Sequence, residues 1–285
     1  MKRPQEIARE QAAMATIVQL TSIFEGIASM RISQIKNQVL QAQDFFAELW
    51  HIYTQIRVDS QFRFGRSQSG VEVVDKELYI VITAEGGFSG DIDQKLINLM
   101  LKHYDKTKQD IIVIGHHGAV QLAQAGVSFE KYFKLPQKDQ NINAAPIIKE
   151  VQRYRSTTVF YQTYVSLMFQ DVKSIELSSA VQERGQNVKA GDEVITERNY
   201  IFEPSTFAVV DHLERSMLQI AISQVILESK LAQYASRFQA MTMAHSKADE
   251  SLDELTTSFY RAKRAQKDER LKELINGLRK ARVVA

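Results

Sequence analysis

A glycine-rich turn is the part of the sequence whose residue types come nearest to catalytic chemistry. The segment AEGGFSGD (84–91) follows Leu78–Thr83, an apolar and β-branched run that predicts a buried strand. A turn of this kind resembles one that cradles a phosphate. It lacks the Lys and Ser/Thr of a P-loop, and its spacing is not that of a dinucleotide fingerprint. Since glycines after a strand usually serve the turn itself, nucleotide binding is the less favoured interpretation.

Two histidines and one serine are the other candidates for metal or acid–base chemistry. His116 and His117 follow a second predicted strand, but adjacent residues in such a turn do not converge on one ion, and the chain has no Cys. Ser89 lies near Asp91 and Asp93 in sequence, without the arrangement of a triad. The sequence therefore predicts no catalytic residue, no cofactor and no metal.

A long apolar seam in the last third of the chain is the strongest pattern in the sequence. Alternate steps of three and four residues from Leu213 stay on this seam to Ala262, interrupted only by Gln224 and His245. Its apolar members include Leu213, Met217, Leu227, Leu231, Phe238, Leu252, Leu255 and Phe259. A helix of some sixty residues is roughly 90 Å long, so it must lie along another helix. His245 is interpreted as a polar position that sets register, with a protonation switch as the alternative.

The N-terminal region carries a matching seam. It runs from Ile7 to Ile56, and a second apolar stripe lies beside it: Leu20, Ile23, Ile27 and Met30. Because a two-helix coiled coil needs only one seam, the extra stripe indicates a second neighbour. Two helices separated by a whole domain most simply pair antiparallel with each other.

The middle of the chain alternates between strand and helix patterns. Predicted strands are Leu78–Thr83, Asp110–Gly115, Val159–Tyr164 and Val172–Leu177. Predicted helices are an amphipathic one that carries Ile92, Leu96, Leu99, Met100 and Tyr104, then HHGAVQLAQAG (116–126) and Ala145–Tyr154. Loops are predicted at 57–70 and 185–199. The fold class is therefore predicted as α/β, with a long antiparallel coiled coil of N- and C-terminal helices and a Rossmann-like, mostly parallel α/β domain inserted between them. We expect a coiled-coil helix at 1–57, the α/β domain at 58–205 and a coiled-coil helix at 206–285.

Bulk composition excludes some classes of protein. The formal net charge of +2 argues against a general nucleic-acid binder. No run approaches eighteen apolar residues, which predicts no membrane-spanning segment. Basic residues are concentrated between Arg261 and Arg282. This concentration is either a solvated helix end with cations near its C-terminus or a surface that meets an acidic partner.

Several motifs resemble those of the gamma subunit of F-type ATP synthases, the central rotor shaft. The clearest are YIFEPS (200–205) and SRFQAM (236–241), the latter similar to the family's A-R-x-x-A-M. Tyr260 and Arg264 fit its Y-N-x-x-R, DIIVIGHHG resembles its strand and I-G-x-K-G turn, and YQTYVSLMFQDV is similar to its strand-turn-strand. The chain departs from the family in AEGGFSGDID and beyond Arg264.

The resemblance implies a non-catalytic rotor subunit that couples rotation to the catalytic hexamer and, with a membrane sector, to proton transport. Implied partners are alpha- and beta-type ATPase subunits (an alpha3beta3 hexamer), an epsilon-like foot subunit and a c-type membrane ring, with no nucleic acid. The expected location is peripheral, on the cytoplasmic side of the cell membrane. Candidate contacts with the ring are Ile27, Met30, Arg31, Arg237, Met241, Tyr260, Arg261, Lys263, Arg264, Lys267 and Arg270. The alternatives are a structural coiled-coil scaffold of an F1-like assembly and, third, a soluble α/β enzyme with helical arms.

Overall fold

The computed structural model describes residues 3–56, 74–139, 142–177 and 201–284. The elements in chain order are α1 (Pro4–Gln55), β1 (Val74–Ile82), α2 (Ile92–His103), β2 (Gln109–Ile114), α3 (His116–Gln124), β3 (Lys131–Phe133), α4 (Ala145–Val151), β4 (Tyr154–Tyr164), β5 (Gln170–Glu176) and α5 (Thr206–Val284). The loops predicted at 57–70 and 185–199 lie outside the described residues.

The five strands form one mixed sheet in the order β3-β2-β1-β4-β5. β1 pairs in parallel with both β2 and β4, β2 pairs in parallel with β3, and only β5 is antiparallel to its neighbour β4. Long terminal helices around a mostly parallel sheet with crossover helices confirm the predicted fold class.

Both faces of the sheet are buried, which is why its central strands read as unbroken apolar runs. Successive side chains of β1 alternate between the faces. Leu78, Ile80 and Ile82 belong to a core that includes residues of α5 such as Met217 and Ile222. On the opposite face, the core contains Tyr79 and Val81 of β1 and three buried residues of α2: Leu96, Ile97 and Met100.

The predicted helix Ala145–Tyr154 is wrong in its last three residues. α4 ends at Val151, and Tyr154 already begins β4, where it pairs with Val74 of β1. Pairing in the sheet therefore overrides the local helical pattern. The same pairing starts β4 five residues before the predicted Val159. The three-residue strand β3 was not predicted, because so short a segment at a sheet edge has no periodicity to detect.

The chain forms two compact units. One contains Met1–Ile27 and Phe238–Ala285, and the other contains Ala28–Arg237. Inside the first unit, Gln11 bonds Thr256, Thr21 approaches His245, and Glu25 bonds Thr242. Inside the second unit, Tyr53 of α1 bonds Glu214 of α5. Within the first unit, positions along α5 fall as those along α1 rise, so the helices pair antiparallel there, as predicted. The predicted domain limits at 57 and 205 stay a prediction.

Helix α1 is more apolar than single runs of sequence suggested. By length and composition the part Pro4–Tyr53 could cross a membrane, with a mean hydropathy of 1.3 in its most apolar window. The expectation from uninterrupted runs missed this because apolar and small polar residues are interspersed along both stripes. One such helix is weak support for a membrane span, since helices from soluble cores pass the same test.

Candidate functional site

The glycine-rich turn is held by helix α5 rather than open for a ligand. Arg237 donates from Nε to the Gly87 carbonyl and from Nη2 to the Gly86 carbonyl, both at 3.1 Å. The Ser236 hydroxyl donates to the Ser89 carbonyl at 2.6 Å. These bonds fix the backbone of the turn on the side of α5.

The first turn of α3 is occupied by the chain's own carboxylate. Glu85 accepts hydrogen bonds from the backbone N–H of His116 at 3.1 Å and of Leu135 at 3.3 Å, and from the Tyr132 hydroxyl at 3.1 Å. Burial and the Glu85 hydrogen bond raise the pKa of Tyr132. The N-terminus of a helix is a common phosphate-binding site. Here the next two N–H groups of α3 are also bonded within the chain, His117 to the Ala84 carbonyl at 3.0 Å and Gly118 to the Thr83 hydroxyl at 2.8 Å.

A buried polar network beside the turn was missed by the sequence analysis. The Asp93 carboxylate is 2% exposed and accepts from Ala84 N at 3.3 Å and Gln162 Nε2 at 2.7 Å, while His117 Nδ1 lies 2.9 Å away. Burial raises the pKa of Asp93, and the three hydrogen bonds offset part of that rise. No spacing in the sequence signals this network, because its members come from separate elements that only the sheet brings together.

The polar network does not form a nucleophile with a base. The buried Ser89 hydroxyl makes no hydrogen bond, so it is not paired with His117 as a triad would require. Within the described ranges, no three His, Cys, Asp or Glu residues are grouped so that they could hold a metal ion. The absence of catalysis, cofactor and metal stays a prediction from sequence.

Nucleotide binding at the glycine turn is tested by calorimetry on the isolated chain. We expect no saturable heat signal with ATP and Mg²⁺, because Glu85 fills the helix terminus and Arg237 bonds the turn. Glu85→Ala is the informative companion, since it frees the backbone N–H groups of His116 and Leu135. Tight stoichiometric binding by the wild-type chain would contradict this expectation, whereas weak binding by Glu85→Ala alone would support it.

The predicted seam residues of α5 differ in burial between the two units. Leu213, Met217, Leu227 and Leu231 are buried, and the last three belong to the core that α5 shares with the sheet. Phe238, Leu252, Leu255 and Phe259 are half-buried in the first unit, where α1 and α5 are the only described elements. His245 contacts α1, with Nδ1 3.1 Å from the Val18 carbonyl and 3.3 Å from the Thr21 hydroxyl.

Most of the predicted ring contacts are exposed. Tyr260 is 57% exposed, and Lys263 Nζ lies 5.6 Å above the centre of the Phe259 ring. The exposed members are Ile27, Met30, Arg31, Tyr260, Arg261, Lys263, Arg264, Lys267 and Arg270. Arg31 also forms an ion pair with Asp139 at 3.5 Å.

Two of the predicted ring contacts are not fully exposed. Arg237 bonds the glycine turn, and its guanidinium lies 5.1 Å from the centre of the Tyr234 ring. Met241 is only 6% exposed. Neither side chain is displayed as an open contact surface.

Beyond the seam, α5 continues with an unpartnered apolar stripe. Leu271, Leu274, Ile275 and Leu278 recur at helical spacing and are all exposed. On α1, the second stripe of Leu20, Ile23, Ile27 and Met30 is exposed as well. Exposed apolar stripes of this length mark surfaces that bind other proteins.

The fold defines the class of protein as one with two long terminal helices and a Rossmann-like α/β sheet between them. A family profile described as ATP synthase matches residues 4–279, and the chain therefore belongs to the ATP synthase family. The predicted resemblance to the gamma subunit is confirmed by curated relatives. The ATP synthase gamma chain of Chlorobium phaeobacteroides (strain BS1) is 25% identical over 93% of this chain and 94% of its own length. The ATP synthase gamma chain of Pelotomaculum thermopropionicum is 24% identical over 95% of this chain and 96% of its own length.

Solved structures show the same fold. A chain of the Euglena gracilis mitochondrial ATP synthase (OSCP/F1/c-ring) aligns with a TM-score of 0.65 at 13% identity, over 96% of this chain and 94% of that one. A chain of the Tetrahymena thermophila mitochondrial ATP synthase central stalk and c-ring aligns with a TM-score of 0.59 at 15% identity. The alignment covers 79% of this chain and 99% of that one.

Proposed function

We propose that this chain is the non-catalytic rotor subunit in the central stalk of an F-type ATP synthase or ATPase. The observation that carries the proposal is the family match along nearly the whole chain, since it includes both long helices and the inserted sheet. The curated relatives bear the name gamma chain, and the structural neighbours come from F1, central-stalk and c-ring assemblies.

The exposed faces of the helix pair suit a hexamer of alpha- and beta-type subunits as partner. An asymmetric body inside a pseudo-threefold ring contacts each catalytic subunit differently. This difference in contact free energy biases the three sites toward different conformations, and rotation moves the bias from site to site. The chain supplies no chemistry of its own in this mechanism.

The remaining partners follow from the same proposal. An epsilon-like subunit and a c-type membrane ring would bind the α/β domain, and the chain would lie peripherally on the cytoplasmic side of the membrane. Coupling through the c-type ring would connect rotation to proton transport.

The exposed basic group on α5 provides the test. Reversing the charge of Arg261, Lys263, Arg264 and Lys267 is expected to lower ATP turnover of the reconstituted complex about tenfold, because these cations face acidic groups on the ring. The loss should be smaller at high salt, where the wild-type attraction is itself screened. Circular dichroism of the isolated variant should remain unchanged, since all four side chains are exposed.

A matched control reverses four exposed lysines of the α/β domain: Lys102, Lys106, Lys134 and Lys138. This control should keep the wild-type rate of hydrolysis by the hexamer. Wild-type turnover in the α5 variant would contradict the proposed contact. Purification of the chain without a catalytic hexamer would favour a scaffold role instead.

A further inference from the structure

The C-terminal ends of β1 and β4 form the topological switch point of the sheet. From β1 the chain adds β2 and β3 on one side and then returns to place β4 on the other. Open α/β sheets bind their ligands in the crevice outside this point. Here side chains from helix α5 fill that crevice.

The central contact is made by Gln162, near the end of β4. Its side chain is 0% exposed, and its amide donates to Asp93 Oδ1 at 2.7 Å. Its carbonyl oxygen accepts from the Ser229 hydroxyl and, at 3.4 Å, from Gln233 Nε2, both on α5. The amide therefore has its nitrogen toward Asp93 and its oxygen toward the donors on α5.

Further polar contacts continue along the same face of α5. Ser229, Gln233, Ser236 and Arg237 recur at i, i+4, i+7 and i+8, which is one face of a helix. Ser236 and Arg237 bond the carbonyls of the glycine turn, and the Thr163 hydroxyl bonds Glu228 beside this face. Arg237 is the last residue of the compact unit that holds the sheet.

Directional bonds give this face a mechanical property that apolar packing lacks. Apolar contacts are non-directional, so they oppose rotation of a helix about its axis only through the shapes of the packed side chains. A hydrogen bond weakens steeply when its angle departs from linearity, so several along one stripe resist rotation of the helix about its axis.

We propose that this polar stripe is the joint through which the α/β domain and α5 turn as one body under torque, with Gln162 and Ser229 as its positioning residues. The inference rests on the proposed rotor function and deepens it. Contacts with the catalytic ring decide whether the shaft turns, whereas this joint adds resistance to slippage between α5 and the α/β domain beyond that of their shared apolar core.

The test compares rotation with and without load in the reconstituted complex. The chain has no cysteine, so a single Cys at the exposed Lys106 of the α/β domain attaches a bead at one point. With the hexamer fixed, the double variant Gln162→Leu and Ser229→Ala should hydrolyse ATP at the wild-type rate in solution. Under viscous load it should turn the bead at no more than about half the wild-type speed, because the directional bonds are lost.

Tyr154→Phe is the matched control. It removes a buried hydroxyl from the same strand, but that hydroxyl bonds Asp110 of β2. Loaded rotation should stay at the wild-type speed in this variant. The proposed joint is contradicted if the double variant turns the loaded bead as fast as wild type, or if the control slows equally.

A second measurement separates this outcome from failure of the proposed function. Amide exchange in residues 84–91 and 227–237 of the isolated double variant should be about tenfold faster than in wild type, since two buried hydrogen bonds are missing. Unchanged exchange would overturn the joint even in a complex that rotates. A wild-type chain that assembles with no hexamer would overturn the rotor function, whatever the exchange result. If the double variant fails to fold, Gln233→Leu takes its place in both measurements.

Discussion

Replacement of Gly115 by Ala should cost about 4 kcal/mol of unfolding free energy, among the largest losses expected from one added methyl group in this chain. Gly115 has a φ of +103°, a conformation that L side chains rarely adopt. A Cβ there would lie 2.0 Å from the Thr83 carbonyl oxygen, which is backbone of the adjoining strand and cannot rotate away. The glycine allows the start of α3 to lie against the end of β1.

Gly126 supplies the matched control for this prediction. Its φ of +70° is also left-handed, but a Cβ there would meet nothing within 4 Å. Gly126→Ala should therefore cost only the backbone strain, about 1 kcal/mol. Denaturation followed by the fluorescence of Trp50, the single tryptophan, reports on the unit that contains both glycines. Equal losses in the two variants would show that the contact with Thr83 is not the cause.

Loss of the buried cation at Lys230 is the second large expected effect. Lys230 is 4% exposed, and its ammonium group donates to Asp139 and, at 2.8 Å, to the Pro136 carbonyl. Lys230→Met keeps the apolar stem but leaves the Asp139 carboxylate, 10% exposed, with the partly exposed Arg31 at 3.5 Å as its remaining cation. We expect a loss of about 3 kcal/mol, because a largely buried carboxylate loses its closest and most buried cationic partner.

Lys76→Met is the control for the buried pair. Lys76 forms an ion pair of good geometry with Asp110 at 2.8 Å, but its side chain is more than one third exposed. Its loss should leave unfolding free energy unchanged within error, since solvent replaces the partner.

The double variant Lys230→Met and Asp139→Asn should recover most of the loss. If it does not, apolar packing of the lysine stem rather than charge accounts for the effect.

The two large effects concern how α5 and α3 are fixed to the sheet, and this bears on function. A shaft helix can transmit rotation to an attached domain only if the domain does not move relative to the helix. Gly115 sets the distance between α3 and β1, and Lys230 ties α5 to the segment before α4.

Sequence periodicity predicted the long helices and their antiparallel pairing correctly. A seam repeated every 3.5 residues over such lengths has few solutions, because the apolar stripe must be covered by another helix. The central strands Leu78–Thr83 and Asp110–Gly115 were also predicted from local pattern, since strands buried on both faces are continuous apolar runs. Local pattern failed at Tyr154 and at β3, where pairing with a neighbouring strand decided the conformation.

Composition and spacing by themselves determined the helix pair, the α/β class and the family resemblance, since each is built from short local patterns that can be recognised one segment at a time. Only the tertiary structure decided what the polar residues do. Asp93, Gln162 and Ser229 are far apart in sequence, and the sheet brings them into one hydrogen-bonded network. Arg237 and Met241 were candidates for the ring surface because of their motif, yet folding engages one with the glycine turn and buries the other. Periodicity records which face of a helix is apolar, whereas the partner of a buried polar group depends on elements that meet only after folding.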